Sequence, residues 1–145
     1  MNKIVIGRKD RAHLPDFGLE KVQVKIDSGA YSCSIDCRSA VVVEKDGIQQ
    51  LEVVFLSKER SEFSGNKYYF KDFISKKVTS STGNSQIRYF INGRIILFGK
   101  EYSTLFSLSK RSGMKTPVLI GRKLLNNNFL IDTSKVNLSN KLKVS

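Results

Sequence analysis

The sequence predicts a single, closed all-β domain. Apolar and polar residues alternate with a period of two in several short segments, and no segment shows sustained helical periodicity. Clusters of Gly, Asn, Asp and Ser separate these segments at short intervals, as turns separate strands. Six or more short strands joined in this way favour a closed barrel. A chain of 145 residues is long enough to form one domain with a sizeable core.

The clearest predicted strand lies at residues 21–26. Val22, Val24 and Ile26 face one side, and the Lys and Gln residues between them face the other. This alternation is typical of a strand with one buried face. A less regular mixture of apolar and polar residues at 68–73 indicates another strand.

Two dipeptides predict tight hairpin turns. Asn92-Gly93 and Asp46-Gly47 each lie between two strand-like apolar runs. Both central residues of such a turn need positive φ, which Asn, Asp and Gly adopt most readily. Residues 64–66 and 80–84 form further turn clusters.

The last part of the chain predicts one short helix directly after Gly121 and a strand at residues 129–132. The segment from about residue 137 is expected to fray, as chain ends often do. No repeat or linker interrupts the chain, so we expect one domain over residues 1–145 with its core at about 4–138.

The chain is strongly basic, with 25 Lys and Arg against 13 Asp and Glu and a net charge of +12. This balance favours an acidic partner, although a merely solvated basic surface explains it equally well. No apolar run approaches the ~20 residues that span a bilayer, and the N-terminus does not resemble a signal peptide. We therefore expect a cytoplasmic protein without a membrane partner.

Metal and cofactor sites are not predicted. Cys33, Cys37 and His13 are the only Cys and His residues, and a closed zinc site commonly needs four such ligands. The two thiols are expected to be reduced and to pack as small apolar groups. No Gly-x-x-x-x-Gly-Lys-Ser/Thr loop is present, so any ATP dependence would have to come from a partner.

The triplet Asp27-Ser28-Gly29 directly follows the strand at 21–26. As a structural feature it is a turn in which Asp27 accepts hydrogen bonds and Gly29 supplies positive φ. As a functional feature it places a carboxylate at the end of a sheet. In that setting Ser28 is a small donor beside the carboxylate, and Gly29 allows another backbone to approach closely.

A second motif, at residues 117–122, supports the functional interpretation. Leu119 and Ile120 precede Gly121 and Arg122 after a strand-like run. In aspartic peptidases, an apolar-apolar-Gly element of this kind packs behind the catalytic loop.

The two motifs together resemble the paired motifs of retropepsins. More closely, the chain resembles a bacterial retropepsin-like aspartic peptidase family that is often labelled "ATP-dependent zinc protease". The resemblance covers about residues 4–138, and its fold would be a retropepsin-like closed β-barrel. The matching stretches, in the family's order, are Ile6-Gly7, 14–19, 24–30, 78–83, 111–114, 117–122 and 129–132.

Four positions depart from the pattern of this family. Tyr31 stands where arginine is usual, Cys33 where serine is usual and Asp36 where histidine is usual. Ser28 replaces the commoner threonine and keeps its hydroxyl. The departures at Tyr31 and Asp36 affect the expected substrate preference more than the expected catalysis.

Aspartic peptidases need two carboxylates that share one proton. The chain carries one Asp-Ser-Gly triplet, so a functional pair requires a homodimer in which Asp27 of each copy meets at a two-fold axis. The resemblance implies the same arrangement. Asp27 would then be the acid and base, Ser28 would hydrogen-bond across the axis, and Gly29 would leave room for substrate.

The resemblance also implies supporting roles. Ala30 and Tyr31 continue the loop as candidate substrate contacts, and Leu119, Ile120 and Gly121 would pack behind it. Arg122 would brace the loop or the dimer, unless it is simply an exposed arginine on a helix.

A lid over the site is predicted at residues 79–84. Ser80, Ser81 and Gly83 make this segment small and polar, and strand-like runs flank it. An ordinary hairpin loop would look the same.

The family is associated with an ATP-grasp ligase that adds a glutamate tail to a ribosomal protein, and with trimming of that tail. The resemblance therefore implies an acidic or poly-glutamate substrate, which a basic cleft would attract. Candidate contacts are Arg88, Arg111, Lys115 and Lys123.

The alternative function is that of a catalytically inactive retropepsin-like module that binds a ribosome or nucleic acid through its basic surface. Aromatic and basic residues interleave at 67–71, as in proteins that stack single-stranded bases. The same pattern also fits a plain strand. A metallopeptidase is disfavoured by the shortage of ligands.

Overall fold

The fold of the protein is given by a computed structural model, which describes residues 2–110 and 113–141. In chain order the strands are β1 (Ile4–Ile6), β2 (Lys9–Leu14), β3 (Leu19–Ile26), β4 (Cys33–Lys45), β5 (Ile48–Phe55), β6 (Tyr68–Phe70), β7 (Ile74–Thr79), β8 (Ser85–Leu97), β9 (Lys100–Ser109), β10 (Val118–Ile120) and β11 (Phe129–Ile131). The helical elements are a 3-10 turn at Pro15–Phe17 and the one-turn helices α1 (Arg122–Leu125) and α2 (Leu138–Lys141).

Six strands close into a barrel in the order β10, β3, β2, β8, β9 and β4. The short strand β10 completes the ring, because it pairs with β3 in parallel and with β4 antiparallel. Closure leaves the ring without an unpaired edge. The prediction of a closed all-β barrel with a short helix after Gly121 is therefore confirmed.

Three groups of strands extend beyond the ring. β5 pairs with the outer part of β4, and β6 pairs with β5. β7 pairs with β8 alone to form a hairpin. β1 and β11 form a separate two-stranded parallel sheet.

The core follows from the alternation seen in the sequence. Val22, Val24 and Ile26 are buried inside the ring, whereas Lys25 on the opposite face is exposed. Cys33 and Cys37 are buried without a disulfide bond and pack in the same hydrophobic cluster. The prediction that both thiols behave as small apolar groups is confirmed.

The prediction of a hairpin turn at Asn92-Gly93 is wrong. Both residues lie inside the long strand β8, where Gly93 is opposite Thr104 of β9. The glycine is needed because the Phe17 ring packs against its backbone, and a Cβ there would lie about 3.0 Å from ring atom Cε1. The chain instead reverses at Phe98-Gly99, which have φ values of 56° and 70°.

The other predicted turns agree with the structure. Asp46 and Gly47 have φ values of 55° and 76° and join β4 to β5 directly. Residues 80–84 close the β7–β8 hairpin, with the Ser80 N–H donating to the Asn84 carbonyl at 2.8 Å. Residues 64–66 lie in the connection between β5 and β6.

The C-terminal segment differs from its prediction. The helix α1 and the strand β11 lie where they were expected. Of the segment predicted to fray, residues 138–141 form helix α2 instead, and residues 142–145 lie outside the described residues. Its Ser139 backbone N–H donates to Asp10 Oδ2 at 3.0 Å, and its hydroxyl accepts from the Phe98 N–H at 2.8 Å. Burial raises the pKa of Asp10.

Among the described residues, no helix is long and apolar enough to cross a membrane.

An exposed ion pair ties the 3-10 turn to β8 and predicts a pH effect. Asp16 Oδ1 lies 2.6 Å from Arg94 Nη2, and this arginine lowers the pKa of Asp16 from its ordinary value of 3.8. A lowered pKa contributes stability above the ordinary value, and the contribution disappears as the pH falls through the folded-state pKa. Arg94→Met should therefore lower the free energy of unfolding near neutral pH and have progressively less effect at acid pH. Urea titrations of both proteins at about pH 6 and about pH 3 measure the difference between their free energies of unfolding. A difference that does not narrow at the lower pH would contradict a stabilising Asp16–Arg94 ion pair.

Candidate active site

Asp27 lies at the point where β3 leaves the barrel. Its backbone N–H donates to the Ile120 carbonyl of β10 at 2.9 Å. β10 runs beside β3 with Ile120 opposite Ile26, so the parallel ladder continues one residue past the strand. The sheet therefore fixes the backbone position from which the Asp27 side chain projects.

A tight turn orients the Asp27 carboxylate. Its Oδ1 accepts from the Gly29 N–H at 2.9 Å, and the Ala30 N–H donates to the Asp27 carbonyl at 3.2 Å. The prediction that Gly29 supplies positive φ is wrong, because its φ lies outside that range. A glycine suits the position for space instead, since a Cβ there would lie 3.2 Å from Oδ1. Asp27 is half-buried, whereas Ser28 and Gly29 are exposed. The carboxylate is thus held by the chain and still reachable from solvent.

The second motif packs directly behind this turn. Ile120 and Gly121 are buried and Leu119 is half-buried. A Cβ on Gly121 would clash with the Ser32 carbonyl oxygen and lie 2.7 Å from the Tyr31 carbonyl oxygen. This close approach requires a glycine for reasons of space rather than of φ, since Gly121 has an ordinary extended conformation.

The first turn of α1 holds the same loop from the other side. The N–H groups of Arg122 and Lys123 donate to the carbonyls of Ala30 and Tyr31, both at 2.8 Å. The Arg122 guanidinium donates to the Ser28 carbonyl at 2.9 Å and lies 5.8 Å from the centre of the Tyr31 ring. Arg122 therefore does more than cover a helix surface, because it braces the loop that carries Asp27.

Tyr31 is the most exposed large side chain beside this loop, with 61% of its surface accessible. Its backbone carbonyl accepts from the Lys123 N–H of α1, and its ring is exposed to solvent beside the Arg122 guanidinium. An aromatic ring held in this way is suited to contact a substrate or another protein chain.

The predicted lid residues Ser80, Ser81 and Gly83 lie apart from the Asp27 loop in sequence and topology. They form the exposed end of the β7–β8 hairpin, and a Cβ on Gly83 would meet nothing within 4 Å. β8 pairs with β9 only up to Phe90, so the hairpin beyond that residue is free of the barrel ladder. Its outer half therefore forms an arm whose strands pair only with each other.

A cavity of about 390 Å³ opens where this hairpin diverges from β9. Arg88 of the hairpin and Lys110 after β9 line it. A neighbouring cavity of about 300 Å³ shares Cys37 and Lys110 and adds Arg38 and Lys58. Asp27 lines neither of these two cavities.

The remaining candidate cations have different positions. Lys123 lies exposed on α1 beside Arg122, and Lys115 is exposed before β10. Arg111 lies outside the described residues. Of the described candidates, Lys123 thus lies next to the Asp27 loop, whereas Arg88 and Lys115 belong to other segments of the fold.

The thiols do not add a nucleophile. Burial, helped by the nearby Asp36 charge and opposed by Lys110, raises the pKa of Cys37 to about 11. Burial also raises the pKa of Cys33. Both thiols stay protonated at neutral pH and are unreactive as thiolates.

The aromatic and basic run at 67–71 is engaged in packing. Tyr68 and Phe70 contact the Phe55 ring in the core. The Tyr69 ring lies 3.5 Å from the Lys45 ammonium, and its hydroxyl donates to Glu52. These contacts favour the strand interpretation over a surface that stacks bases.

Sequence reasoning missed one buried polar cluster around Asp36 of β4. The fully buried Asp36 accepts hydrogen bonds from Ser57 and Arg60. The available signal was an acid inside the apolar segment 33–37, because buried carboxylates are nearly always paired.

A model of one protein family matches nearly the whole chain. The family is RimB-like, described as "Retropepsin-like aspartic endopeptidase RimB", and the match covers residues 5–141.

Curated relatives match most of the length of this chain, but the matched region is a minor part of their own length. A protein of Shewanella pealeana named "Probable alpha-L-glutamate ligase" is 26% identical over 134 residues, which are 92% of this chain and 29% of the relative. A protein of the same name from Desulfotalea psychrophila is 27% identical over 133 residues, 90% of this chain and 28% of the relative. The chain therefore spans less than a third of the length of these relatives.

A solved structure has the same fold. It is the crystal structure of a Legionella pneumophila protein of unknown function, with a TM-score of 0.67 and 23% sequence identity. The match covers 95% of this chain and 99% of that chain.

Proposed function

Because the chain belongs to the RimB-like family of retropepsin-like aspartic endopeptidases, we propose that it is an aspartic peptidase that works as a homodimer. The observation that supports this most directly is the Asp27 turn. It presents one half-buried carboxylate at the end of β3, and the Gly29 N–H orients this carboxylate. Each protomer would supply half of a catalytic pair.

The chemistry follows from placing two such carboxylates about 3 Å apart. Like charges at this distance cannot both ionise easily, so the pair would hold one proton and titrate as a unit. The ionised Asp27 would remove a proton from water, which attacks the peptide carbonyl. The protonated Asp27 would donate to the carbonyl oxygen. As the C–N bond breaks, the leaving amine would take the proton removed from water, and the former carbonyl oxygen would return its proton to the second Asp27.

Ser28 and Gly29 are the exposed residues next to Asp27. At a two-fold axis the Ser28 hydroxyl would reach the partner copy and keep the two loops in register. Gly29 would leave space for the substrate backbone. Arg122, Gly121 and the Ile120 carbonyl would keep the loop rigid while substrate binds.

The β7–β8 hairpin would act as the lid. Its end is polar and exposed, and its outer half pairs only with itself. Such an arm can move without breaking the barrel ladder, and closing it would exclude water from the cleft.

Acidic peptides are the proposed substrates. The net charge is +12, and Arg88 and Lys110 line the cavity at the base of the hairpin. Relatives of this chain are named as alpha-L-glutamate ligases, and ligation of glutamate makes acidic chains. A basic protein would attract such chains by long-range electrostatics.

Comparison of a glutamate-containing peptide with a matched glutamine peptide tests the proposed function. The glutamate peptide should be cleaved with a kcat/KM about tenfold higher at about 0.02 M salt, because electrostatic attraction raises association rates by this order. The advantage should shrink towards about 0.5 M salt, where the Debye length is only a few ångströms. Equal kcat/KM values for the two peptides at low salt would contradict the preference for acidic substrates. If neither peptide is cleaved, the proposal that the protein is a peptidase is contradicted.

A further inference from the structure

A buried ion pair joins Asp36 of β4 to Arg60 in the connection between β5 and β6. The Asp36 side chain is fully buried, and its Oδ2 lies 2.7 Å from Arg60 Nε. The same oxygen accepts from the Ser57 N–H at 2.8 Å and from the Ser57 hydroxyl at 2.6 Å. Burying a charge is costly unless it is paired and hydrogen-bonded, so this degree of pairing indicates a site that is held in one arrangement.

Arg60 joins this carboxylate to a second segment of the chain. Its Nη2 donates to the Met114 carbonyl at 2.9 Å, and its Nη1 lies 3.5 Å from the Lys115 carbonyl. The guanidinium therefore links the connection after β5 to the segment that leads into β10. A planar guanidinium can serve these partners together, which a lysine ammonium cannot reproduce.

The tied segment leads directly to the support of Asp27. The Asp36 N–H donates to the Pro117 carbonyl at 2.8 Å, and β10 starts at the next residue. β10 then runs for three residues to Ile120, whose carbonyl accepts from the Asp27 N–H at 2.9 Å. A three-residue strand forms few ladder hydrogen bonds of its own, so its position depends on how its entry is anchored.

We propose that Asp36 and Arg60 are positioning residues for the candidate catalytic loop. The pair fixes the entry into β10, and β10 fixes the backbone of Asp27. Neither residue would touch substrate. The expected effect on catalysis rests on the proposed function. The expected effect on the position of the Asp27 backbone holds whatever reaction the chain catalyses.

The test uses Arg60→Lys and the double variant Asp36→Asn with Arg60→Met. The first keeps a cation for Asp36 but loses the fork to the two carbonyls. The second removes both charges, so that no unpaired charge stays buried if the single variant fails to fold. Arg94→Met is the matched control, because it removes an exposed ion pair on β8.

Hydrogen exchange of backbone amides is the first readout, with amides of β8 and β9 as internal references. The backbone amides at positions 27 and 36 should exchange about tenfold faster than in the wild-type protein in both test variants, while the reference amides are unchanged, as expected for local opening. Arg94→Met should leave the Asp27 and Asp36 amides unchanged. Unchanged exchange at Asp27 in the double variant, or a uniform rise at all amides, would overturn the proposal.

Kinetics of peptide cleavage is the second readout. Misplacement of the carboxylate should lower kcat by about ten- to a hundredfold with little change in KM. An unchanged kcat, or a loss confined to KM, would overturn the positioning role. If the wild-type protein cleaves no peptide, the proposed function fails, and the exchange of the Asp27 amide alone decides this inference.

Discussion

Asp27→Asn is expected to lower kcat by roughly 10⁴-fold, the upper range for loss of a general acid and base. In a homodimer the substitution removes both carboxylates of the pair at once. The amide can still accept from the Gly29 N–H as the carboxylate does, so the turn and the fold should persist. Peptide cleavage under saturating substrate measures kcat, and the free energy of unfolding from urea titration is the control for fold.

Mixing the variant with wild-type protein tests the dimer as well. If protomers exchange, an equal amount of Asp27→Asn protein leaves about half of the original wild-type dimers, because mixed dimers form at random. Activity should then fall to about half, whereas a peptidase that is active as a monomer would lose nothing. Full activity after exchange, or substantial cleavage by the variant alone, would contradict a catalytic pair built from two Asp27 side chains.

Gly121→Ala should be the most damaging small substitution at the site. The added Cβ would meet the carbonyl oxygens of Ser32 and Tyr31, which are backbone atoms and cannot swing aside. Overpacking of this kind typically costs about 1–3 kcal/mol, and relief requires the loop to move away from α1. We expect lower stability in urea titration and a fall in kcat of at least about tenfold, since small misplacements of reacting groups are expensive.

Gly113→Ala is the matched control for this substitution. A Cβ on Gly113 would meet nothing within 4 Å, although the residue precedes the same strand. Its stability and kcat should stay close to the wild-type values. Equal effects of the two substitutions would show that the contact between Gly121 and the loop does not matter.

The sequence predicted local geometry well where one residue pair decides it. Asp46-Gly47 forms its hairpin because nothing else competes for those residues. Asn92-Gly93 has the same turn chemistry but lies in β8, because packing of Phe17 against the glycine outweighs the local preference. A tertiary contact between residues so distant in the chain is not visible to a pattern of neighbours.

The site shows the same division. The Asp27 turn and the support from Gly121 were predictable, because each motif carries its own geometric requirement. The pairing of Asp36 with Arg60 was not, since it depends on how a long connection folds back over β4. A chain-end helix that binds Asp10 was missed for a related reason, as four residues hold little helical signal.

The small sheet formed by β1 and β11 has a consequence for protein architecture. It brings Ile4 opposite Phe129, so the first and last strands of the fold lie side by side outside the barrel. A polypeptide can therefore enter and leave this unit at one place without opening the ring, which is the arrangement that tolerates fusion and insertion. The unit is thus suited to be one module among several. A relative in which the matched region makes up 29% of the length fits that design.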